Sequence, residues 1–242
     1  MTNGAAAEVG QHGGEKLRWV KLPLQARSRE KLERFIAAAE RLINERGFQA
    51  TSVPDIAREA GCSVGLFYTR FRDKQELLRF LFEHYLGEAV ATARAVLQPG
   101  AFADVPLAAL IRTAVQGMVR IHRGKPGLVY AFYESIPHDP VLGERVLAVH
   151  HEIEGLARAM LVARGAEITH PDPDTAARFG IRLVVGVLQQ RALASRTLPA
   201  EDDLGWTVMA EEMTRTLLGY FGVAAAAPPP RRLRSARRKA AR

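Results

Sequence analysis

The sequence has one cysteine, Cys62, in 242 residues. A lone thiol excludes an internal disulfide and any multi-cysteine metal site, and it fits a reducing compartment. No run of about 18 apolar residues occurs, so no membrane-spanning helix is expected. The small, polar start (residues 1–14) lacks a basic stretch followed by an apolar core, which argues against a secretory leader. Strand-like alternation with hairpin turns is missing, as is any repeat of roughly 20–50 residues. The chain also lacks a nucleophile motif, a Gly-rich phosphate loop and paired metal ligands at usable spacing, so an enzyme is not expected. His138, His150, His151 and Glu154 come nearest to a metal set. Neighbouring helical histidines point about 100° apart, however, so His150 and His151 do not readily share an ion. Neither metal nor cofactor is expected.

Hydrophobic residues at 48% and charged residues at 25% match ordinary soluble globular usage. The positive charge is unevenly placed. Residues 16–79 hold 14 Lys/Arg against 8 Asp/Glu, residues 80–230 hold 13 against 16, and residues 231–242 hold seven basic side chains and no acid. A basic segment on a slightly acidic body points to nucleic-acid binding by one part and a different task for the rest.

The first 26 residues show no sustained period and read as a disordered arm. From Arg29, apolar Leu32, Phe35, Ile36, Ala39, Leu42 and Ile43 recur on one helical face, predicting a helix over 29–46 with Ser28 as N-cap and Gly47 at its C′ position. Ser52-Val53-Pro54-Asp55 opens a short second helix that stops at Gly61. Ser63 caps a third, carrying Leu66, Phe67, Tyr68 and Phe71, and Asp73 caps a fourth that runs to about Leu97. Two short helices around Gly61-Cys62-Ser63, with a longer helix in front, form a helix-turn-helix pattern. Further helices are predicted over 107–123, 127–136, about 140–164 and about 173–196, with a ninth opened by Pro199 to Asp203 and ending near Phe221. From Ala224 an alanine run, three prolines and an Arg-rich end cannot build a core. The expectation is an all-α chain with four parts. These are a disordered arm (1–26), a three-helix helix-turn-helix domain (27–75), a larger helical domain (76–223) and a disordered basic tail (224–242).

In the third helix, Gly65 allows close backbone approach, while Tyr68 and Lys74 have the reach for flanking phosphates. Val64, Thr69 and Arg70 are suited to base edges. The ordered set Ala37-Ala38-Ala39-Glu40, Arg46-Gly47-Phe48, Thr51-Ser52, Asp55-Ile56-Ala57, Ala60-Gly61, Ser63, Gly65, Tyr68, Phe71, Lys74 and Leu77 resembles the DNA-binding domain of the TetR family of transcriptional regulators. It covers about fifty residues; the rest of the chain is similar in architecture only. The resemblance implies phosphate contacts by Thr51 or Ser52, Ser63, Tyr68 and Lys74, with base contacts from the third helix. Val64 and Leu66 are apolar where the family often carries polar residues, which shifts expected readout toward Arg70, Thr69 and thymine methyls.

The same resemblance implies operator DNA as partner, homodimerisation and a small-molecule effector, in a cytoplasmic, nucleoid-associated repressor. Met118, His122, Tyr130, Phe132, Tyr133, His151, Gln189 and Trp206 are the candidate effector-pocket residues. Ala177, Gly180, Val184, Val187, Leu188, Val208, Met213 and Leu217 are the candidate dimer residues on the last two helices. A regulator controlled by a protein partner instead of an effector is the alternative.

Overall fold

The computed structural model describes residues 26–98, 100, 102, 104–197 and 204–223. The expected N-terminal arm, apart from Ala26, and the basic tail lie outside them. Among the described residues the regular structure is helical throughout: α1 (Ala26–Arg46), α2 (Val53–Glu59), α3 (Val64–Tyr68), α4 (Lys74–Leu97), α5 (Leu107–Arg123), α6 (Pro126–Ser135), α7 (Pro140–Ala163), α8 (Pro173–Thr197) and α9 (Trp206–Phe221), with short 3-10 turns after α6 and α7. The all-α expectation is met, and α5 has the predicted bounds.

The caps explain most boundaries. Gly47 has φ 87°, as a left-handed C′ residue should. Ser52 and Asp55 close a reciprocal capping box: Ser52 Oγ accepts from Asp55 N at 3.2 Å, while Asp55 accepts from Ser52 N at 3.4 Å. Ser63 Oγ accepts from Leu66 N at 3.2 Å, and Asp73 accepts from Glu76 N at 2.7 Å.

Three expectations need correction. α1 begins at Ala26, so Ser28 lies within the helix and not at its cap. α3 ends at Tyr68, so Thr69, Arg70 and Phe71 follow it. α9 begins at Trp206, which leaves Leu204 exposed and outside the helix, and residues 199–203 lie outside the described residues.

The described residues divide into two compact units, those within Met1–Glu88 and Gly124–Val146, and those within Ala89–Arg123 and Leu147–Arg242. The first is held by aromatic packing. Phe35, Phe67 and Phe71 are fully buried, with Phe67 edge-on to Phe35 at 5.8 Å and tilted on Phe71 at 5.3 Å. Phe132 of α6 meets Phe82 at 4.5 Å and Tyr85 at 5.4 Å. Polar ties fix α6 here as well. Asn44 Oδ1 accepts from Gly127 N at 2.9 Å and Leu128 N at 3.2 Å, capping α6 from the end of α1. Lys125 Nζ pairs with Glu40 at 3.1 Å and Glu88 at 3.4 Å.

The second unit packs α5, α8 and α9 with the later part of α7. Its core is aliphatic, and two glycines permit close approach. A Cβ on Gly117 would meet Thr92 Cγ2 at 2.6 Å, and one on Gly180 would meet Phe221 Cζ at 2.8 Å.

Candidate nucleic-acid interface and interior cavity

The start of α3 presents one continuous exposed face. Ser63, Val64, Gly65, Tyr68 and Thr69 are all exposed, Tyr68 by 55%, while Phe67 between them is fully buried. A helix of five residues is thus anchored by one ring and displays the opposite side. Tyr68 packs edge-on to Phe67 at 5.4 Å yet remains accessible, so packing and surface contact are compatible. A Cβ on Gly65 would meet nothing within 4 Å. Packing inside the chain therefore gives no reason for glycine at a helical position where it costs about 1 kcal/mol relative to alanine.

Several candidate groups are already engaged. Thr51 is 1% exposed and its hydroxyl donates to Gly47 O at 2.8 Å, so of the Thr51–Ser52 pair only Ser52 is at the surface. The Thr69 hydroxyl donates to Leu66 O at 2.7 Å, closing α3. Arg70, past the helix end, is half-buried. Lys74 Nζ donates to the carbonyls of Phe48 at 2.8 Å, Thr51 at 2.9 Å and Gln49 at 3.4 Å, and lies 4.3 Å from the Phe48 ring centroid. An ammonium has three donors. A phosphate contact by Lys74 therefore requires exchanging one of these bonds. Partial burial also holds its pKa below the usual lysine value. Asp55 is shifted down by the Ser52 hydroxyl bond and by Arg58.

The second unit holds an apolar cavity of about 80 Å³. It is lined by α4 (Thr92, Ala93, Leu97), α5 (Ile111, Ala114, Val115, Met118), α7 (Ile153, Ala157, Met160, Leu161), α8 (Ala177, Gly180, Ile181, Val184, Val185) and α9 (Leu217, Phe221). Of the expected pocket residues, only Met118 lines it. His122 is buried, with Nδ1 2.9 Å from Met118 O, and burial lowers its pKa to about 4. Trp206 lines a separate groove, Gln189 is half-buried away from the cavity lining and His151 is exposed. Tyr130, Phe132 and Tyr133 belong to the first unit, where burial raises the Tyr133 hydroxyl to about 12.

Most expected dimer residues face inward. Ala177, Gly180, Val184 and Leu217 line the cavity, and Leu188 and Met213 are buried. Small and apolar residues at helical spacing suit a partner-facing stripe, but this stripe packs within the unit. Only Val208, 45% exposed, and the half-buried Val187 remain available.

Residues 35–80 match the model for bacterial regulatory proteins of the tetR family, and residues 106–221 match the tetracyclin repressor-like C-terminal domain. An uncharacterised HTH-type transcriptional regulator of Mycobacterium tuberculosis, Rv1255c, is 31% identical over 160 residues, which is 64% of this chain and 73% of that one. The chain belongs to the TetR family.

Other HTH-type relatives match over shorter stretches. YerO of Bacillus subtilis, an uncharacterised HTH-type transcriptional regulator, is 45% identical over 58 residues, 24% of this chain and 20% of that one. The aligned part of HbdR from Aromatoleum spans 25% of its length. Among solved structures, a TetR-family regulator from Mesorhizobium loti aligns with TM-score 0.65 at 17% identity, covering 82% of this chain and 98% of that one. PfmR from Thermus thermophilus aligns at 0.59 and 18%, covering 80% and 100%. These likenesses show the fold, all-α with an N-terminal helix-turn-helix and a helical C-terminal region.

For this TetR-family DNA-binding regulator, sequence reasoning missed Asn44 as a distant cap. It also missed the cavity walls contributed by α4 and α7. Long-range capping leaves no local spacing signal, whereas Ile153, Ala157, Met160 and Leu161 at helical intervals did mark an apolar α7 face.

Proposed function

We propose that this regulator is a homodimeric repressor that leaves its operator when a small apolar molecule enters the cavity of the second unit. The cavity carries this reading: it is a void walled by five helices and almost wholly apolar, where a small-molecule site should be. Residues 27–75 act as the DNA-binding domain, residues 76–223 bind effector and pair with a second copy, and the setting is the cytoplasm and nucleoid. Ser52, Ser63, Tyr68 and Lys74 serve the phosphates, Lys74 by exchanging a carbonyl. Val64, Gly65, Thr69 and Arg70 lie along the base edges. The dimer uses exposed surfaces of α8 and α9, including Val187 and Val208. Two reading helices then meet successive major grooves about 34–36 Å apart.

Footprinting on the DNA upstream of its own gene tests the proposal. Protection of a two-fold site is expected, and no sequence-specific protection at low salt sinks it. Tyr68→Phe should weaken binding to every sequence about tenfold, as loss of one hydrogen bond to a charged group implies. Arg70→Ala should relax discrimination at particular base pairs by about 1–3 kcal/mol.

One observation favours control by a protein partner instead. The cavity's 80 Å³ is well below the roughly 300 Å³ of ordinary ligand pockets. Flexible Met118, Met160 and Leu217 in its walls give it room to expand. Small apolar compounds that raise the unfolding temperature and release DNA decide for the effector; no such compound across a broad panel decides for the partner.

A further inference from the structure

A second concavity in the same unit, a groove of about 310 Å³, runs between α5 and α9 and has the opposite chemistry. Arg112, Arg120 and Arg123 line it from α5; Trp206 and Glu211 line it from α9. None of the three guanidinium groups forms an ion pair or hydrogen bond among the described residues. Three guanidinium groups against one carboxylate leave two positive charges uncompensated. Arg120 and Arg123 lie one turn apart, about 5–6 Å between Cβ atoms, which suits a shared phosphate or carboxylate. The half-buried Trp206 ring adds a flat apolar wall and is held by the Arg191 guanidinium 4.1 Å from its centroid. The groove is separate from the apolar cavity. At 100° per residue, Ile111, Ala114, Val115 and Met118 centre about 130° around α5 from the arginine-bearing face.

We infer that this groove binds a small organic dianion, a phosphate monoester or a dicarboxylate carrying a ring, with its charged head between Arg120 and Arg123 and its ring against Trp206. The protein is then a two-input regulator, with an apolar ligand on one face of α5 and an acidic one on another. This site does not depend on the cavity being an effector pocket.

The test uses the full chain with Trp19→Phe, so that Trp206 is its only tryptophan. Phenyl phosphate, phthalate and neutral benzamide are titrated while Trp206 emission is recorded. A saturable change is expected with the dianions and none with benzamide, and the response should fade with salt as charge contacts do. Preference between phenyl phosphate and phthalate separates phosphate from carboxylate ligands. The combined Arg120→Gln and Arg123→Gln variant should raise the dissociation constant at least about tenfold at an unchanged unfolding temperature. If that pair unfolds the chain, Arg112→Gln alone should still weaken binding several-fold, through the lost charge. The inference is overturned by an equal response to benzamide, by unchanged affinity in the variants, or by no saturation below about 10 mM. Loss of the dimer in the variant without any dianion response also overturns it and assigns the arginines to contact between copies.

Discussion

The two units are built from different materials. The first buries Phe35, Phe67, Phe71, Phe80, Phe82, Tyr85 and Phe132, most of them in ring-to-ring contact. Among the described residues, Phe221 is the only Phe, Tyr or Trp buried in the second, whose core is mostly Ala, Val, Ile, Leu and Met around a void, with His122 and Thr214 also buried. Rings have few rotamers and defined mutual geometry, so they hold short helices in one arrangement. Aliphatic and thioether side chains repack at small cost. A reader of DNA benefits from the first property, and under the proposed function a chamber that admits a guest benefits from the second.

The comparison breaks or sharpens most clearly at Phe67. Phe67→Ala should cost about 3–5 kcal/mol, as buried Phe truncations do. Denaturant unfolding should then become two-step, with an early loss of operator binding and a later transition that keeps its wild-type midpoint. One shifted cooperative transition would show that the units do not differ in this way.

His122 tests the other side. Its folded pKa of about 4 lies below the usual 6.5 because burial disfavours the charged ring. The unfolded chain therefore binds the proton more readily, so the stabilisation is complete above about pH 6.5 and is lost as pH falls toward 4. The loss should reach on the order of 3 kcal/mol. His122→Gln should flatten thermal stability against pH across that window, and a profile identical to wild type would refute the assignment.

Gly180→Ala forces a Cβ against the Phe221 ring and should cost about 1–3 kcal/mol. Calorimetry should show the loss while operator affinity without ligand stays at the wild-type level.

The smallest effect on stability, and the most diagnostic, belongs to Gly65→Ala. It should stabilise the fold by no more than about 1 kcal/mol yet weaken operator binding, because the new methyl meets open space in the free protein. Unchanged affinity in a gel-shift titration would remove Gly65 from the interface.

Much of this was legible in the residues. Ser52, Ser63 and Asp73 cap the helices that the residues predict, and Gly47 ends the first, because caps are local events with fixed spacing. The exposed face at Ser63 to Thr69 could be read for the same reason. Direction of burial was less readable. Gly180 and Val184 sit at intervals that suit either a partner helix or α9 of the same chain, and only tertiary packing decides between them. Thr51 and Ser52 are adjacent hydroxyls, and the choice between them depends on which faces Gly47 O. The ninth helix begins later than the residues suggest: Pro199 and the following acids resemble an N-terminus, whereas Gly205 holds the N-cap position.

The aliphatic walls of the cavity have a consequence for descent. A chamber lined by Ile111, Val115, Met118, Met160 and Val184 can be reshaped by trading one such side chain for another. Substitutions of that kind usually cost less than about 1.5 kcal/mol when volume is kept. Under the proposed function, the guest could therefore change between lineages while the ring-packed first unit stays as it is. If small apolar compounds release the protein from DNA, a combinatorial library confined to those five positions should yield variants that respond to different compounds at an unchanged DNA site.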